Sequence, residues 1–80
     1  METDWKDDAL EWYRRGLSEL LERWNGKRAG ADAEFYVEEL KEALLDLKLS
    51  VIDDRSSDAA VYVAEVTQLV AELRLRSPEE

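Results

Sequence analysis

Apolar residues recur along the chain at spacings of three and four, in three separate runs. At 100° per residue each run becomes one face of a helix. In the first, Leu10, Tyr13, Leu17, Leu20, Leu21 and Trp24 form a stripe that predicts a helix over about 4–24. Thr3 or Asp4 can cap its start, and Asp7 and Asp8 fall near the positive end of its dipole. Asn25-Gly26 follows, a pair that tolerates left-handed backbone and so stops a helix.

The second run, Ala33, Val37, Leu40, Leu44, Leu47 and Val51, predicts a helix over about 33–51, with Tyr36 and Ala43 beside the seam. The third places Ala59, Tyr62, Val63, Val66, Leu69, Val70 and Leu73 on one face of a helix over about 58–75, closed by Ser77-Pro78. Residues 53–58 form a polar connection rich in capping side chains. One pattern competes here. Leu47, Leu49 and Val51 alternate at strand period, and Val61-Tyr62-Val63 is rich in strand formers, so a hairpin across 53–58 is the alternative.

The expected fold is a single all-α domain, a small three-helix bundle or a helical hairpin plus a third helix. At 80 residues, burial on folding reaches only about 60% of the unfolded chain's surface, so completion by dimerisation is also expected. No basic region followed by an apolar stretch begins the chain, and no apolar run approaches the ~20 residues of a membrane span. A cytoplasmic protein that does not engage a membrane is the expectation.

Charge changes the picture more than composition does. The net charge is −9, but residues 1–30 hold seven acids and six bases, a net of −1. Residues 31–72 hold eleven acids against Lys41, Lys48 and Arg55, a net of −8, and residues 73–80 balance. Such a field repels nucleic acid and favours a protein partner with a basic surface.

Chemistry is sparse. With no His and no Cys, the commonest general base, the strongest nucleophile and the zinc ligands of structural sites are missing, and the Glu-x-x-His of di-iron bundles cannot occur. Residues 53–58 lack the ligand spacing and terminal Glu of a calcium loop. No enzyme activity, metal or cofactor is expected. Trp24-Asn25-Gly26 has the Trp-x-Gly form seen in small substrates of type VII secretion. The Tyr-x-x-x-Asp/Glu signal of that family is absent, since Leu40 and Val66 stand four residues after Tyr36 and Tyr62. Trp24 therefore reads as the last core residue of its helix, and Gly26 as the stop.

Three surfaces stand out as candidates for partner binding. On the second helix Glu34, Glu38, Glu42 and Asp46 are spaced by four, so neighbours lie about 5–6 Å apart on one flank. That separation is comparable with the phosphate repeat of a nucleic-acid strand, roughly 6–7 Å. Asp53 and Asp54 would extend the row past the helix end. On the first helix Trp5 and Trp12, with Ala9 and Gly16, add apolar surface beside the main stripe. Third, Leu45, Leu49 and Ile52 fall on the polar side of the second helix, and Ala60, Ala64, Thr67 and Ala71 flank the third; contiguous apolar residues of this kind suggest a contact.

The expected function is that of a non-enzymatic acidic binding module, an inhibitor or nucleic-acid mimic. In physical character it resembles small acidic phage-encoded inhibitors such as anti-CRISPR proteins, or an antitoxin capping its toxin. The alternative is a homo-oligomeric structural or adaptor bundle, in which the acids only keep the protein soluble.

Overall fold

A computed structural model describes residues 4–78. Helix α1 spans Asp4–Ser18 and continues without a break into a π-helical segment, Glu19–Trp24; α2 spans Ala31–Ile52 and α3 spans Ser56–Arg74. The fold is a three-helix bundle, all-α as the periodicity implies, drawn out to 46 Å along its long axis. The α2–α3 hairpin is its largest interface. None of the helices is long and apolar enough to cross a membrane among the described residues.

The connections follow from local chemistry. Gly26 at φ 72°, after Asn25 at φ −67° and ψ 126°, forms a type II turn closed by the Lys27 amide on the Trp24 carbonyl at 3.1 Å. Between α2 and α3 the chain reverses in three residues. Asp54 takes φ 63°, a left-handed conformation that Asp tolerates better than most residues. The amides of Asp53, Asp54 and Arg55 donate to Leu49, Val51 and Ser50, satisfying the last carbonyls of α2. This reversal joins two helices, so the hairpin alternative is overturned. The strand-like alternation of Leu47, Leu49 and Val51 arises instead because Leu47 is buried, Val51 half-buried and Leu49 exposed around one helix. The second helix begins two residues before the expected 33, so Asp32 lies in its first turn, where its charge meets the dipole. Thr3, the other cap considered for α1, lies outside the described residues.

The core is built on Ala33, Val37, Leu40, Ala43, Leu44 and Leu47 of α2 and Ala59, Val66, Val70 and Leu73 of α3. Helix α1 docks on that pair through Ala9 and Gly16, which corrects the expected stripe. Leu10 and Leu21 are exposed, while Ala9, Gly16 and the flanks Trp5, Trp12, Tyr13 and Leu17 face inward. Tyr13, Leu17, Leu20 and Trp24 of the stripe keep their contact with the core, but the inward face is turned by roughly 60° at 100° per residue, which leaves Leu10 and Leu21 outside it. The cause is distance. A Cβ added to Gly16 would stand 2.7 Å from Leu44 Cδ2, 3.2 Å from Val66 Cγ1 and 3.4 Å from Leu40 Cδ1. Small residues at the centre let α1 sink between α2 and α3, and the larger side chains close over both seams. The close approach that Gly16 permits is therefore made by the chain's own helices.

Candidate partner-binding surface

Two clusters of charge lie on this scaffold, and they differ in kind. The first is internal. In the π-helical segment hydrogen bonds run i→i+5, which widens the turn and brings residues five apart onto one side. Glu19 and Trp24 are so placed, and the Trp24 indole N–H donates to Glu19 Oε2 at 3.0 Å. Glu19 is 4% exposed. Its carboxylate also pairs with the Arg23 guanidinium, and Arg74 Nη1 lies 3.7 Å from Oε1. Arg23 donates onward to the carbonyls of Leu73 at 3.1 Å and Arg76 at 2.6 Å, filling acceptors at the end of α3. Arg76 closes the end of the bundle, bonding Glu72 and stacking 4.5 Å from the Tyr36 ring centroid. Sequence reasoning missed this network. At 100° per residue, positions 19 and 24 diverge, and only the π geometry aligns them.

The second cluster is external. Glu34, Glu38, Glu42 and Asp46 are all exposed on α2, as is Glu39. Lys41 meets Glu38 at 3.4 Å. Among the described residues Glu34, Glu42 and Asp46 have no ion pair. Leu45, Leu49 and Ile52 lie on the same outward face and are 57%, 43% and 65% exposed. Phe35, absent from the candidate set, belongs with them. It is 61% exposed and packs edge-on against Tyr36 at 5.4 Å. Its signal was present in the sequence, because it stands two heptads before Leu49.

The remaining candidates are placed differently. Asp53 and Asp54 do not extend the uncompensated row. Asp54 pairs with Lys6 at 3.0 Å, and Asp53 and Asp58 share Arg55 at 3.5 and 2.8 Å. Trp5 and Trp12 are half-buried against the core along the α1–α3 seam. Trp5 borders a recess with Ala59, Ala60 and Val63, and Trp12 one with Val70 and Arg74. Cations cover their outer sides, with Lys6 Nζ 5.6 Å from the Trp5 centroid and Arg15 Cζ 4.7 Å from that of Trp12. On α3, Ala60, Ala64 and Ala71 are exposed, while Thr67 is half-buried and bonds the Val63 carbonyl at 2.7 Å.

The acidic row and the apolar residues beside it thus share one face, apart from the tryptophans. Unpaired carboxylates on a rigid helix can accept Lys or Arg side chains without first losing partners of their own. No family model, curated protein or solved structure matches the chain.

Proposed function

We propose that the chain is an acidic, non-enzymatic protein-binding module. In this reading it is an inhibitor or nucleic-acid mimic of anti-CRISPR-like or antitoxin-like kind, and the outer face of α2 occupies a basic surface of its partner. Glu34, Glu38, Glu42 and Asp46 receive the partner's Lys and Arg side chains, in place of phosphates. One observation carries the reading: on one exposed helical flank, three of these four carboxylates have no cation of their own among the described residues. Each like-charged pair four apart costs a few tenths of a kcal/mol in the free protein. A basic partner relieves that cost on binding, so charge complementarity speeds association and makes it sensitive to salt.

The test begins with a partner captured from the native host and identified by mass spectrometry. Its affinity is then measured for the wild type and for a variant carrying Glu34→Lys, Glu38→Lys, Glu42→Lys and Asp46→Lys. Loss of binding by the variant, with weakening of the wild type as salt rises, supports the reading. Equal affinity for both proteins eliminates it. A second reading, a structural or adaptor role through self-association, is favoured by the exposure of Leu45, Leu49 and Ile52 on the same helix.

A further inference from the structure

The outward face of α2 has a heptad register that its inward face conceals. Helix positions are lettered a to g, with a and d facing outward. Leu45 and Ile52 then take d, and Leu49 takes a. Positions b, c and f carry the residues committed to the bundle, such as Ala43, Leu44 and Leu47. The flanks of the outward seam are charged and unlike. Asp46 and Asp53 occupy e; Lys41 and Lys48 occupy g. Lys48 is exposed and has no ion pair among the described residues, and Asp46 has none either.

This pattern distinguishes between possible occupants. In a parallel pair of helices, g of one copy meets e five residues later in the other. Lys41, which meets Glu38 within its own helix, then faces the unpaired Asp46 of the second copy, and the unpaired Lys48 faces Asp53, which caps the helix and is shared with Arg55; both contacts bring opposite charges together. An antiparallel pair sets e against e and g against g, which brings acids onto acids and lysines onto lysines along the same stretch. Towards the start of α2 the sign changes. Glu38 and Glu42 take d and a, and Glu34 faces Glu39 of the second copy, so a parallel pair is repelled there. The seam is attractive only over its last turns.

We infer that a second copy of this chain covers Leu45, Leu49 and Ile52, with the two α2 helices parallel and joined at their C-terminal halves. Their acidic N-terminal halves diverge. The inference gives the self-association reading a geometry and does not depend on the acidic row binding a basic partner. The dimer leaves Glu34, Glu38 and Glu42 of both copies uncovered.

Sedimentation equilibrium on the full chain tests the association. The wild type should pass from monomer to dimer between about 10 μM and 1 mM, the range of an interface smaller than the standard size. Leu49→Asp should weaken the dimer more than about 100-fold, and Glu42→Leu should tighten it about tenfold or more by extending the apolar seam. Both positions are exposed, and circular dichroism confirms that each variant is folded. Because the chain has no Cys, Ile52→Cys reports orientation directly: oxidation should link two copies through that position only if the helices are parallel. Mixing Lys41→Glu/Lys48→Glu with Asp46→Lys/Asp53→Lys should restore a heterodimer that neither variant forms alone. A monomer at 1 mM, a dimer indifferent to Leu49→Asp, or a dimer without the Ile52→Cys crosslink each overturns the inference.

Discussion

Glu19 and Glu42 are the same residue on neighbouring helices, and the protein treats them oppositely. Glu19 is buried, takes an indole N–H and an arginine within its own segment, and through Arg23 ties that segment to the end of α3. Glu42 stands in water with like charges four residues away on either side and no cation among the described residues. Charge in the first region is consumed by the fold. In the second it is free for an outside contact, and the net charge of the chain does not distinguish the two.

The largest expected effect falls on the buried side. Glu19→Leu removes the acceptor of Trp24 and Arg23 and should lower unfolding free energy by about 2–4 kcal/mol in urea denaturation. That lies near the low end for a broken buried pair, because Arg23 keeps some contact with water. Next comes Trp24→Phe, which keeps an aromatic ring but removes the indole N–H. One hydrogen bond to a charged group is lost, worth about 1.5–3 kcal/mol by the same measurement. Gly16→Ala follows, at about 1 kcal/mol destabilising. Its new Cβ meets the flexible end of Leu44 at 2.7 Å, and overpacking of about 1–3 kcal/mol outweighs a helix-propensity gain of about 1 kcal/mol. The smallest effect belongs to the exposed row. Glu42→Gln should leave stability unchanged or raise it by a few tenths of a kcal/mol, because it relieves repulsion from Glu38 and Asp46. A loss above about 1 kcal/mol there would show that α2's carboxylates serve the fold after all.

The helical architecture was legible because punctuation and period agreed. Asn25-Gly26, the polar run 53–58 and Ser77-Pro78 separate three apolar-periodic stretches, and each stretch contains a helix. The phase of α1 was harder to read. Counting large apolar residues gave weight to Leu10 and Leu21, whereas close approach selects for small ones, Ala9 and Gly16. On α2 the outward positions of Leu45, Leu49 and Ile52 were visible from the wheel, since the opposite face is apolar except for Ser50. The ion pair of Asp54 could not be judged in the same way, although Arg55 stands only two residues from Asp53. Lys6, which meets Asp54, is far away in sequence and arrives only when α1 packs against the α2–α3 turn. The π-helical segment was beyond any 3.6-residue pattern, and Glu19 with it.

Glu34, Glu42 and Asp46 stand on one face of α2 with no ion pair among the described residues. An amide NMR titration of the labelled chain with a lysine-rich peptide at low salt measures this directly. Shifts should centre on Glu34, Glu38, Glu42 and Asp46 and fade as salt is added, with Glu19, Asp53 and Asp54 unmoved. Shifts spread evenly over every acidic residue, or centred on the Asp53–Asp54 turn, would contradict it.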